Sequence, residues 1–235
     1  MGAVPTERTQ LELPGLVGCQ RCPRLVRYLS QLPAKGAYSR CDYWNKPVPG
    51  FGDIQAQVWL IGLAPGAHGA NRSGRPFTGD GAGDFMYPLL YQAGFSNQPQ
   101  AYAVDDGLQL QDLYISNAVK CVPPGNKPTA AEFGNCRPFL ELEWQQLTRV
   151  RVLFALGRDS FISILRLLKD AGIIKRLANY PFQHDAAYPL PNGQWLLASY
   201  HTSRYNVQTR RITPELFLQV LHHARELMHT AAPIA

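Results

Sequence analysis

Residues 58–81 read VWLIGLAPGAHGANRSGRPFTGDG, and the fold turns on this stretch. An apolar run, Val58–Ala64, breaks at Pro65 and opens into a Gly-rich loop that reaches Gly81. A short run of Val, Ile, Leu and Trp bounded by Gly and Pro reads as a buried strand. Three further runs have the same character: Leu113–Val119, Val152–Leu156 and Trp195–Tyr200. Helical patterns lie between them. Gly81–Ala93 carries Phe85, Leu89 and Leu90. Thr129–Leu147 opens on an N-cap threonine with Glu132 at the capping-box position. Arg158–Ala171 repeats Phe161, Ile164, Leu165 and Leu168, and Pro214–Met228 follows Thr213 with proline at the first helical position. Strands alternating with helices imply a sheet covered on both faces. We therefore expect a three-layer α/β/α sandwich around a central, mostly parallel four-stranded sheet, with residues 1–235 forming one domain. Ligands of such sheets bind beyond the carboxyl ends of the strands, where the loop 65–81 begins. Long ordered loops in compact domains are usually functional.

The composition agrees with a folded chain. Of 235 residues, 46% are hydrophobic and 17% charged, which excludes a disordered or collagen-like protein. No apolar run approaches the roughly 18–20 residues that cross a bilayer. The N-terminus has no secretory pattern. A monomeric, cytoplasmic protein with reduced cysteines and no membrane partner is expected. The net charge of +6 favours a polyanionic partner only modestly.

Cys19-Gln-Arg-Cys22 spaces two thiols so that they reach one metal centre. Cys121 follows the second strand, and Cys136 lies in the next helix. Three readings stand side by side: scattered buried thiols, a four-cysteine zinc site and a four-cysteine iron–sulfur cluster. Pro23, directly after Cys22, leans toward the cluster. An all-thiolate centre leaves no open position for a substrate, so its role is structural. Cys41 has no spaced partner. The loop 65–81 lacks the Gly-Lys-Ser/Thr end of a nucleotide-binding P-loop. It offers a ring for stacking (Phe77), two cations (Arg72 and Arg75) and a carboxylate, Asp80, that could equally be a plain helix cap. Between Cys19 and Lys46, six basic residues (Arg21, Arg24, Arg27, Lys35, Arg40 and Lys46) face one acid, Asp42. They form either a solvated surface or a footprint on nucleic-acid phosphates.

Four motifs occur in order: Gly62-Leu63-Ala64-Pro65-Gly66, then Gly74-Arg75-Pro76-Phe77-Thr78-Gly79-Asp80, then Asn117-Ala118-Val119-Lys120-Cys121, then His201-Thr202-Ser203 followed by Asn206. Together with the cysteines they resemble the iron–sulfur uracil-DNA glycosylases, most of all family 5, the B-type enzymes. The likeness runs from Cys19 to about Thr213. It implies hydrolysis of the N-glycosidic bond of uracil in double- or single-stranded DNA, leaving an abasic site. Hypoxanthine and other deaminated bases are implied as further substrates. It also implies a structural [4Fe–4S] cluster on Cys19, Cys22, Cys121 and Cys136, which would tie the segment 1–50 to the core.

By the same resemblance the base pocket consists of Gly62, Ala64, Gly66, Phe77, Asn117 and His201. Phe77 stacks on the base, Asn117 reads its edge and His201 stabilises the charge that collects on it. Other members of the superfamily place Asp or Asn at the third position of Gly-x-x-Pro, and family 4 has Glu before it. Here these are Ala64 and Leu63, so the carboxylate falls to Asp80, as in family 5. Arg72, Arg75, Ser203, Arg204, Tyr205, Asn206, Arg210 and Arg211 are expected on the DNA, with 201–206 as a loop entering the minor groove. Thr202 replaces the proline usual in that loop. The alternative is a non-catalytic, metal-stabilised nucleic-acid-binding module. A phosphodiesterase would need a cluster of Asp and Glu after the strands, and none is visible.

Overall fold

The computed structural model describes residues 11–36, 38–39 and 42–230; Arg40 and Cys41 therefore lie outside the described residues. Six strands form one sheet: β1 (Phe51–Gly52), β2 (Val58–Gly62), β3 (Leu113–Asn117), β4 (Val152–Leu156), β5 (Ala187–Pro189) and β6 (Trp195–Ser199). Seven helices surround it among the described residues: α1 (Pro23–Gln31), α2 (Ala70–Ser73), α3 (Gly81–Gln92), α4 (Ala130–Gln146), α5 (Arg158–Asp170), α6 (Arg204–Gln208) and α7 (Pro214–His229). The strand order is β1-β3-β2-β4-β6-β5.

The four strands read from the sequence form the centre, all parallel, with Val58 opposite Leu113 and Val152, and Val152 opposite Trp195. The expected count of four is corrected to six. Short β1 and β5 pair antiparallel at the two edges, and strands this brief carry no readable alternation. Such short edges also limit pairing with other chains.

Alternation along each strand sorts the core into two layers. Val58 and Leu60 of β2, with Val152, Phe154 and Leu156 of β4, face α3 and α7. Trp59 and Ile61, with Leu153 and Ala155, face α4 and α5. On α7 the buried stripe Phe217, Val220, Leu221, Ala224, Leu227 and Met228 follows helical spacing. Each fully buried side chain of this size contributes roughly 1.5–3 kcal/mol. Thr129 closes a full capping box with Glu132, and Thr213 caps α7 through the Leu216 N–H. A third, smaller cluster joins α1, through Leu25 and Leu29, to Val119, Val122, Phe139 and the cysteines. No helix among the described residues is long and apolar enough to cross a membrane.

Candidate active site

The parallel strands end on one rim, and a cleft of about 560 Å³ opens there. Its wall is built from the segment after β2 (Leu63 to Ala70), from Asn117 at the end of β3, from His201 just past β6 and from the start of α3. This is where an open parallel sheet exposes its strand ends to a ligand.

Phe77, Asn117 and His201 converge in the cleft. The ring centroids of Phe77 and His201 are 6.2 Å apart, tilted by 38°. Gly62 lies beneath them rather than on the wall. A Cβ at that position would sit 2.5 Å from Asn117 Oδ1 and 2.6 Å from Phe77 Cζ. Only a hydrogen lets the amide and the ring meet over the strand end. Asn117 is 2% exposed, and neither its Oδ1 nor His201 Nδ1 has a hydrogen-bond partner among the described residues. A buried polar atom left unsatisfied costs roughly 1–3 kcal/mol. Two such atoms beside one hollow mark it as a place for a polar ligand. Burial pushes the His201 imidazole down to about 4, so the ring is neutral at neutral pH. Its backbone carbonyl accepts from Asn206 Nδ2 at 2.8 Å, and Gly157 closes behind the ring.

Asp80 is the helix cap that the sequence allows, and its second oxygen is left for the cleft side. Oδ1 caps α3, accepting from the Ala82 and Gly83 amides at 3.1 and 3.0 Å. Oδ2 turns toward the segment after β2, so close that a Cβ at Gly69 would lie 2.4 Å from it. The carboxylate is thus held by a helix N-terminus while its second oxygen lies against the cleft wall. Ala64 and Gly66 line the cleft as expected, while Lys35, His68 and Asn126 join it without having been expected. His68 Nδ1 is 3.0 Å from Tyr43 Oη. Its position in the loop after a strand was a usable signal. Lys35 and Asn126 lie too far along the chain for spacing to reveal them.

Around the mouth, Arg204 lies across Gly81, and Arg72 reaches Gly79 while its guanidinium stacks 4.2 Å above the Tyr38 ring. The segment expected as a loop contains the short helix α6, capped by Ser203 through the Asn206 amide. Tyr205 is 70% exposed. Arg210 and Arg211 are exposed, and Arg211 lies 4.5 Å over the Tyr200 ring. Thr202 is buried and donates to the Ala82 carbonyl at 3.3 Å, so a tertiary bond steadies the segment where proline is absent. Arg75 corrects an expectation. It is not on the surface but buried against Asp106, with both terminal nitrogens bonded at 2.8 and 2.6 Å. Among the basic N-terminal residues, Arg24 is paired with Glu132 at 2.7 Å.

Cys19, Cys22, Cys121 and Cys136 border one apolar cluster, and none forms a disulfide. Burial raises the Cys121 thiol strongly, and the other three cysteines add to the effect. Burial also pushes Cys136 up to about 11. The four sulfurs are therefore neighbours that repel one another as thiolates. The Lys120 amide donates to Cys136 Sγ at 3.3 Å, and Asn135 Nδ2 to Cys22 Sγ at 3.5 Å. Four soft sulfurs in an apolar setting, with amide donors turned to them, suit a cationic thiophilic centre. Among the described residues no three His, Cys, Asp or Glu side chains converge as ligands of a single ion would. Beside this cluster Lys120 and Glu143 form a fully buried ion pair at 2.6 Å, extended through Ser116 to Trp59.

Comparison with known proteins gives a consistent result. The uracil DNA glycosylase superfamily matches residues 49–225. The chain is 50% identical over 213 residues to the type-5 uracil-DNA glycosylase of Thermus thermophilus, covering 90% of this chain and 94% of that protein. It is 38% identical over 229 residues to the type-5 enzyme of Mycobacterium leprae, with 96% of each chain covered. With that of Pyrobaculum aerophilum it shares 41% identity over 209 residues, or 89% and 88% of the two chains.

Proposed function

The chain belongs to the uracil DNA glycosylase superfamily, and from that premise we propose that it excises uracil from DNA by hydrolysing the N-glycosidic bond, the first step of base-excision repair. The observation that carries this reading is the meeting of Phe77, Asn117 and His201 at one hollow, with two buried polar atoms left for a ligand. A base must leave the stack to enter such a hollow, at a cost of a few kcal/mol that is least for a mispair. Stacking on Phe77 returns roughly 1–3 kcal/mol. The Asn117 amide both donates and accepts, which suits the edge of uracil.

As the bond from C1′ to the base nitrogen breaks, its electron pair passes to the pyrimidine. A neutral His201 meets that charge with an N–H; losing a donor of this kind costs about 3–4 kcal/mol in barrier. Asp80 opposes the positive charge on the sugar and orients the water that adds at C1′. Arg72, Ser203, Arg204, Tyr205, Asn206, Arg210 and Arg211 would hold the DNA, fixing register through the backbone. Arg75 is excluded from this set by its burial. Ala64, Gly66 and Ala67 keep one wall of the cleft small, which leaves room for hypoxanthine and other deaminated bases. The reading as a non-catalytic module is not favoured, because the relatives are named as glycosylases.

We assign Cys19, Cys22, Cys121 and Cys136 to a [4Fe–4S] cluster. Four thiols bordering one apolar cluster, two of them accepting amide N–H donors, suit such a centre. Such a centre would supply structural cross-linking, tying the segment 1–50 to the loop after β3 in a monomeric, cytoplasmic enzyme. Brown protein containing iron and sulfide is expected from anaerobic purification; colourless protein with one zinc would overturn the assignment. The activity is tested by strand cleavage at abasic sites on oligonucleotides bearing uracil, hypoxanthine, xanthine or thymine opposite each base. Uracil should be released from both single and double strands. No release of any of these bases would refute the reading.

A further inference from the structure

Phe77 has φ +54, a left-handed conformation that crowds the Cβ of a bulky residue and is rarely adopted by one. It persists only where the surroundings over-determine it. The surroundings here are specific. The Phe77 carbonyl packs on Gly83, where a Cβ would lie 1.7 Å away. Tyr87 Oη donates to the Pro76 carbonyl at 3.0 Å. Arg75 supplies the remaining grip. Its Nε donates to Thr78 Oγ1 at 2.8 Å, while Nη1 and Nη2 donate to the two Asp106 oxygens. The guanidinium Cζ lies 4.9 Å from the Phe51 ring centre. Asp106 in turn accepts from the Tyr102, Ala103 and Leu108 amides at 2.7, 3.2 and 3.1 Å. At 2% exposure, with its Nε and both terminal nitrogens engaged by Thr78 and Asp106, Arg75 is turned away from any phosphate at the surface.

We propose that Arg75 is a positioning residue for the stacking ring: clamped to Asp106, it holds residues 75–78 so that Phe77 keeps its left-handed backbone and presents its ring to the extruded base. The inference rests on the reading of Phe77 as the stacking face. The fork matters more than the charge, because Lys offers no planar set of donors to bridge Thr78 and both carboxylate oxygens. The clamp also joins the cleft to the segment 102–108, which makes no contact with the cleft itself.

The test is a double-mutant cycle. Phe77→Ala and Arg75→Lys are each expected to lower kcat/KM on uracil duplex by roughly 10- to 100-fold, the range set by one stacking contact. Combined, they should be no more than about threefold worse than Phe77→Ala alone, since Arg75 acts through a ring already removed. Losses that multiply, or an Arg75→Lys enzyme with wild-type turnover, would overturn the proposal. The pair Arg75→Met with Asp106→Asn removes both charges together, avoiding an orphaned buried ion and keeping an oxygen for the 102–108 amides; it should fold and still show the defect.

Hydrogen exchange provides a readout independent of chemistry. Arg75→Lys should speed exchange at residues 77–80 and 102–108 and leave the β2–β4 amides unchanged. Unaltered exchange there would also overturn it. If the wild-type chain released no uracil while exchange changed as expected, the functional reading would fall and the clamp would stand.

Discussion

Replacing Gly62 with alanine is the sharpest probe of the cleft. The added methyl would lie 2.5 Å from Asn117 Oδ1 and 2.6 Å from Phe77 Cζ, against an ordinary contact that begins at 3.4 Å. One or both groups must retreat by about 0.9 Å, the difference between 3.4 and 2.5 Å. Neither can do so freely. Asn117 is in register with Gly62 itself across the β2–β3 ladder, and Phe77 sits on a strained, clamped backbone. A displacement of roughly 1 Å in a reacting constellation costs on the order of 10²-fold in rate. Overpacking of the core should cost about 1–3 kcal/mol in stability. Single-turnover release of uracil from duplex should therefore fall about 100-fold, in protein that still unfolds cooperatively in urea. A Gly62→Ala enzyme within about threefold of wild type would refute this, because rate would then not depend on where the amide and ring lie.

Three further outcomes are expected. Asp80→Asn keeps a good helix cap and removes the charge, so urea stability should hold while excision falls by about 10²–10⁴-fold; Asp80→Ala should in addition lose about 1 kcal/mol. Equal activity of Asp80→Asn and wild type would remove the carboxylate from the reaction. His201 is held near 4 in the fold by burial but titrates near 6.5 when unfolded, so the unfolded chain takes up its proton first as pH falls. Its contribution to stability is full above about pH 6.5 and is lost on going down toward about pH 4, below which it changes no further. His201→Gln should abolish that part of the acid limb, read as the difference in urea midpoint between the two proteins. Arg210→Gln and Arg211→Gln should each reduce the log–log salt slope of DNA binding by about 0.9, and an unchanged slope would put them off the DNA.

The sheet centre was legible because its signals are local, whereas Phe77, Asn117 and His201 were brought together by the family resemblance. Val58–Gly62 is a dense apolar run ending at a breaker, and Thr129 with Glu132 is a cap that needs only four residues to recognise. Edge strands β1 and β5 were not legible: Phe51–Gly52 and Ala187–Pro189 gain their conformation from the neighbour they pair with. Helix α1 carried readable signs in Pro23, Leu25 and Leu29, interleaved with basic residues that pointed elsewhere. Arg75 was misplaced because a charged side chain in a loop ordinarily faces water. Only the fold brings Asp106, thirty-one positions on, to meet it. Lys120 went unmarked for the same reason, since its partner Glu143 lies on another element.

The crowding around Asp80 and Phe77 restricts how this enzyme can change. Side chains at Gly62, Gly66, Gly69, Gly81 or Gly83 would strike Asn117, Asp80, Arg204 or the Phe77 backbone. Three positions on the cleft wall, Gly66, Gly69 and Gly81, are thus closed to larger residues without disturbing the groups beside them. Leu63, Ala64 and Ala67 border the same space and already carry side chains there. Retuning toward larger or smaller lesions, by selection or by design, would begin at such positions rather than at the glycines.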